Sequence, residues 1–112
     1  THLAVAAAVY AGLGLPGLLW GLYVPLVVNM HAIYAVNSIC HMPRFGYRPH
    51  ETRDDSRNVR WLGLLTFGES YHNQHHADPR RARHGMGWRE PDLTAALIWV
   101  LERLRLARQV AW

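Results

Sequence analysis

Three histidines fall within the run Tyr71-His72-Asn73-Gln74-His75-His76. On a helix, positions i, i+3 and i+4 share one face. At 3.6 residues per turn, His72 and His76 project about 40° apart, and His75 lies about 60° from His72 on the other side. All three imidazoles therefore aim at one volume. Imidazole is the commonest nitrogen ligand for iron, zinc, copper and nickel. Three ligands on one helix cannot enclose an ion, so others must come from a second element. Asn37 and His41 are spaced i, i+4 at the polar end of a preceding apolar segment. A His and an Asn where such a segment leaves a membrane are functional candidates by default. Cys40 is adjacent, but its offset points it to a different face.

The remaining histidines read as ordinary. His31 is ten residues before His41, about 15 Å along a helix, and is expected to be structural. His50 and His84 lie in basic loops and are expected to be solvated or lipid-facing. His2 sits at the edge of the chain and carries no information. Glu69, just upstream of the histidine run, either supports a ligand histidine from behind or joins a helix-to-helix hydrogen bond. Ser70 and His72 do not make a hydrolase pair, because no G-x-S-x-G elbow is present.

The elements that must position these side chains are legible from the charge pattern. The chain has 112 residues, half of them hydrophobic, with 12 basic and 8 acidic side chains and a net charge of +4. Every basic residue is Arg, and residues 1–43 contain no Asp, Glu, Lys or Arg. The mean hydropathy of −0.11 averages over this split and hides it. The division argues against an ordinary soluble domain and against disorder. One Cys excludes a disulfide framework. The arginines do not interleave with an aromatic platform, which argues against nucleic acid as a partner. Lipid phosphate at a membrane surface suits this charge better. The opening in mid-apolar sequence, without Met or a basic leader, reads as a fragment lacking its N-terminal part.

About 20 apolar residues cross a bilayer, so residues 1–41 read as transmembrane. The cluster Gly12-Leu13-Gly14-Leu15-Pro16-Gly17 favours the end of one span, a turn near 12–17 and a full span over 17–41, rather than one long span. Trp20, Tyr23 and Tyr34 suit the interfaces. Residues 42–112 read as a cytosolic histidine-box region. It comprises a loop over 42–56, a helix over 57–76 capped by Asp54, Asp55 or Ser56, a basic loop over 77–90 and an amphipathic helix over 91–109. Pro91 suits the first turn of that last helix, and Asp78-Pro79 ends the one before it. The fold class expected is therefore all-α: transmembrane helices plus a cytosolic helical cap bearing a histidine-box metal site.

The runs Asn37-Ser38-Ile39-Cys40-His41, Arg48-Pro49, Thr52-Arg53-Asp54-Asp55-Ser56-Arg57-Asn58 and Gly68-Glu69-Ser70-Tyr71-His72-Asn73-Gln74-His75-His76 together resemble the membrane-bound acyl-CoA Δ9 (stearoyl-CoA-type) fatty-acid desaturases. The tail Ala77-Asp78-Pro79-Arg80, with Ala82-Arg83-His84-Gly85, is similar to the bacterial branch. The resemblance covers about residues 17–108. It implies a diiron centre, with His41, His72, His75 and His76 as direct iron ligands and Asn37 holding a metal-bound water. Two earlier histidine boxes of the family, HxxxxH and HxxHH, lie upstream and outside this chain, so the resemblance implies a C-terminal fragment that is inactive alone. Ile33 and Tyr34 stand where the family usually has Thr and Trp shaping the bend of the acyl tunnel, which bears on chain length and bond position. Gln74 takes the variable position of the third box and is expected to face away from the histidines and tolerate change.

The function implied is O2-dependent desaturation of a fatty acyl chain, in an integral membrane enzyme of fatty-acid biosynthesis. The substrate is acyl-CoA at Δ9, or an acyl-lipid. No side chain in the sequence can break an unactivated methylene C–H; iron with O2 is the natural carrier of that chemistry. Electrons must come from an external donor of cytochrome b5 or ferredoxin type. The arginines from Arg44 to Arg83 suit an acidic donor or CoA phosphates, and equally suit a cytoplasmic face under the positive-inside rule. A bacterial inner membrane, with the metal site on its cytoplasmic side, is the expected location. Two alternatives remain at this point: a diiron acyl hydroxylase, and a non-catalytic metal-binding membrane fragment.

Overall fold

The computed structural model describes residues 1–112. The structure is helical, with no strands. It divides into two compact units, Thr1–Ile33 and Tyr34–Trp112.

The first unit holds α1 (His2–Leu18), a π-helical turn (Leu19–Tyr23) and the start of α2 (Val24–Ile39). None of the residues of α1 or the π turn is buried. The backbone leaves the helical region at Gly14, with φ 64° and ψ −165°. Only a residue without a Cβ enters that region at low cost. Pro16, two residues on, lacks the N–H that a continuous helix would use. The interruption falls inside the Gly/Pro cluster at 12–17, and helical residues flank it on both sides. By length and composition, His2–Ile39 can cross a membrane.

The second unit is built around Val36, Cys40, Val59 and Leu62, with Ala35, Ile39 and Phe45 packed against them. Its connecting segments are tied by two isolated antiparallel bridges, Tyr47 with Asn58 and Asn58 with Tyr71. Asn58 N donates to Tyr47 O (2.8 Å), and Val59 N to Ser70 O (2.9 Å). These contacts hold the loop after α2 beside the segment that carries the histidines.

The single helix expected over 57–76 does not form. Two short helices take its place, α3 (Arg60–Gly63) and α4 (His72–Ala77). Side chains turn the backbone between them: Thr66 Oγ1 donates to Leu62 O (2.9 Å) and accepts from Ser70 N (3.1 Å). Phe67 and Gly68 then adopt φ of 56° and 108°. A Cβ at Gly68 would lie 2.5 Å from Asp92 Oδ1, so the turn needs glycine for space as well as for φ.

No expected N-cap acts before α3, where Val59 is the cap residue without a side-chain bond. Asp54 instead closes its own turn, accepting from Ser56 N at 2.9 Å, as Asx residues commonly do. The last helix, α5, is shorter than the expected 91–109 and spans Leu93–Arg103. Asp92 caps it, with Oδ1 accepting from Ala95 N at 2.8 Å, so Pro91 precedes the cap. The left-handed φ of 61° at Arg105 marks the end of regular helix.

Candidate metal centre

Two segments of the second unit bring the imidazoles together. α4 carries His72, His75 and His76. His41 comes from the turn just after α2, where its N–H donates to Ser38 O at 3.2 Å. That i→i+3 bond tightens the helix end, a usual device for satisfying terminal carbonyls. The ligand atoms of His41, His72 and His76 all lie within 4.8 Å of one another. His76 Nε2 is 3.0 Å from His72 Nε2. The ring of His41 stands edge-on to those of His72 and His76, at centroid distances of 5.1 and 5.4 Å.

His72 is buried and His76 exposed. Burial, helped by the neighbouring charges of His76 and His41, pulls the His72 pKa down to about 4. Its imidazole is therefore neutral near pH 7, as a metal ligand must be. The His76 Nδ1 is held by Asp54 Oδ2. Hydrogen bonds from Ser56 first, then from His76 and Thr52, hold the Asp54 carboxyl well below the usual carboxylate range, against the opposing effect of burial. A convergent set of imidazole nitrogen donors, one backed by a carboxylate, fits a borderline transition-metal ion such as iron or zinc.

His75 shares the helix but not this ligand cluster. Its ring lies 5.9 Å from His72 and 4.8 Å from His84, centroid to centroid. Its Nδ1 is buried without a hydrogen-bond partner. Burial, then the charges of His84 and His76, lowers its pKa, with Glu69 opposing. His84 is therefore not a solvated loop residue. Its side chain is 13% exposed, and its Nδ1 is 3.9 Å from Glu69 Oε2. Glu69 is thus near the histidines, but against His84. Asn37 lies on α2, one turn before His41, and is exposed. Ile33 and Tyr34 are exposed on α2.

The positions that fix α4 were not marked by any periodic signal. Asn58 Oδ1 accepts from Asn73 N (3.0 Å) and Gln74 N (3.2 Å), satisfying the open N–H groups of the first turn. Asn73 is fully buried. Its Oδ1 accepts from His50 N (2.9 Å), and its Nδ2 donates to His50 O (3.1 Å) and Thr52 Oγ1 (3.1 Å). Gln74 does face away from the cluster, yet it is buried and bonded to the His50 ring. The two side-chain amides between the histidines, Asn73 and Gln74, are the one sequence sign of this network.

Residues 1–102 match the fatty acid desaturase family. The chain is 47% identical over 102 residues to Delta-9 desaturase-like 3 protein of Arabidopsis thaliana, covering 91% of this chain and 33% of the relative. It is 45% identical over 109 residues to the sn-1 stearoyl-lipid 9-desaturase of Synechocystis, covering 97% and 34%. It is 42% identical over 109 residues to the icosanoyl-CoA 5-desaturase of Limnanthes douglasii, covering 97% and 30%. The chain thus spans about a third of the length of the curated relatives it matches. No solved structure matches it at a significant level.

Proposed function

The chain belongs to the fatty acid desaturase family, and on that premise we propose that it is the histidine-rich segment of an O2-dependent fatty acyl desaturase with a diiron centre. The observation that carries this reading is the convergence of His41, His72 and His76 within 4.8 Å. In this reading those three and His75 hold iron, and Asn37 holds a water on it. The chemistry iron supplies when bound is O2-dependent removal of hydrogen from unactivated methylenes, which no amino-acid side chain performs.

The chain's own residues supply placement. α4 presents its imidazoles together, and the buried Asn58 and Asn73 keep that helix in register with the loop before it. Ile33 and Tyr34 line the acyl path and set its bend. Glu69 acts on His75 from behind, together with His84. The apolar segment His2–Ile39 anchors the protein in a bilayer, the inner membrane of a bacterium, with the metal site on the cytoplasmic side. The arginines after Arg44 meet an acidic electron donor of cytochrome b5 or ferredoxin type.

Δ9 desaturation of an acyl-CoA is the leading substrate assignment. Acyl-lipid is the second, favoured by the match over 97% of this chain to a relative named as a stearoyl-lipid desaturase. The test is expression of the full gene product, with a reductase and donor, in a host lacking Δ9 desaturase, followed by mass spectrometry of the separated CoA and lipid pools. A new Δ9 double bond is expected. Hydroxylated acyl chains would transfer the assignment to a hydroxylase. An iron-loaded protein giving neither product would end the catalytic reading.

A further inference from the structure

We infer that Asp54 is a positioning residue for His76, fixing which ring nitrogen of that histidine is available to a metal. The inference rests on the metal-centre reading above and adds a residue to it.

The geometry is specific. Asp54 Oδ2 meets His76 Nδ1. An ionised carboxylate can only accept, so Nδ1 carries the proton and donates it. In the neutral ring Nε2 then keeps its lone pair, and it is Nε2 that faces His72 Nε2 at 3.0 Å. Histidine ligands commonly donate their second ring N–H to a carboxylate in this way, which sets tautomer and ring orientation.

Asp54 is itself fixed from the other side. Its Oδ1 accepts from Ser56 N (2.9 Å) and from Thr52 Oγ1 (3.0 Å). Thr52 Oγ1 in turn accepts from Asn73 Nδ2 (3.1 Å), on the same short helix as His76. The loop and the helix are therefore joined at several points, through Asn58, Asn73, Gln74 and Asp54. Of these links only the Asp54 one reaches a cluster imidazole. Its neighbour Asp55 points elsewhere: its side chain is 72% exposed and meets Arg48 at 3.4 Å.

The test uses the full gene product in detergent, stripped of metal and titrated with Co2+, whose ligand-field absorption reports the donor set. Asp54→Asn keeps an acceptor for Ser56 N, so the loop is retained. Its amide can donate to Nδ1 and move the ring proton to Nε2, the wrong tautomer for binding. The expected result is Co2+ affinity lowered on the order of 10–100-fold with an altered absorption band. Asp54→Glu should recover part of the affinity, and Asp55→Asn should match the parent. A purely structural role for Asp54 would lower the melting temperature without changing the band at saturating Co2+, and that result would overturn the inference. So would wild-type affinity and band in Asp54→Asn. A parent protein that takes up no Co2+ would remove the metal-centre reading itself, and this inference with it.

Discussion

His76 Nε2 and His72 Nε2 face each other at 3.0 Å, one helical turn apart on a helix of six residues. His76 Nδ1 is directed at Asp54, which leaves its Nε2 turned toward His72. A cation between the two Nε2 atoms would take the place of the hydrogen bond that joins them. Replacing either ring by Ala in the full gene product should weaken metal binding further than the 10–100-fold typical of losing an outer partner. Metal content after dialysis against a weak chelator measures it, and unchanged content in His72→Ala would exclude the cluster as the site.

Asn58→Ala removes the acceptor shared by Asn73 N and Gln74 N. Losing a helix-capping oxygen at a buried position costs about 1–2 kcal/mol. A lowered denaturation midpoint is expected, with metal uptake weakened in parallel because the same helix carries the ligands. An unchanged midpoint would show that α4 does not depend on this cap.

Gly68→Ala should destabilise through two routes. The φ of 108° is unfavourable for any residue with a Cβ, at about 1–3 kcal/mol. The new methyl also presses on Asp92, which caps α5 and accepts from His84 N (2.7 Å) and Gly85 N (3.1 Å). Thermal melting of the variant beside Gly87→Ala, where a Cβ meets open space, separates this from a generic glycine effect. Equal melting temperatures would contradict the turn geometry.

Cys40 is fully buried, and its thiol donates to Ser70 O at 3.6 Å. It should resist alkylation in the folded protein and react at once after denaturation. Mass spectrometry of iodoacetamide-treated protein reads this directly. Rapid modification of the native protein would mean that the core of Val36, Val59 and Leu62 opens easily.

Spacings of three and four residues singled out His41, His72 and His76, whose ligand atoms the fold brings within 4.8 Å, and also His75, which it turns toward His84 instead. The Gly/Pro cluster likewise marked the interruption at Gly14. The expected 57–76 helix failed because apolar spacing at Val59, Leu62 and Leu65 says nothing about Thr66 bonding back to the chain. The roles of Asn58 and Asn73 escaped notice, and Asp54 was expected only as a helix cap, because their partners lie 15 to 23 residues away. No local pattern encodes such pairings. His84 was misjudged for the same reason: a basic loop suggests solvent, and only the folded chain brings it against His75. Gln74 faces away from the histidines as expected, yet its burial and its bond to His50 argue against the expected tolerance to change, since a residue facing away from a metal cluster can face another part of the core.

The histidine helix is too short to exist by itself. Isolated helices under about 12–15 residues are marginal in water, and α4 has six. On a newly made chain, the imidazoles therefore have no fixed arrangement until the segment around Asn58 has closed over them. A metal ion supplied early would meet a floppy peptide with several competing donors. Supplied after closure, it would meet a shaped receptor. The length of that one helix therefore ties metal affinity to the folding of the segment around Asn58.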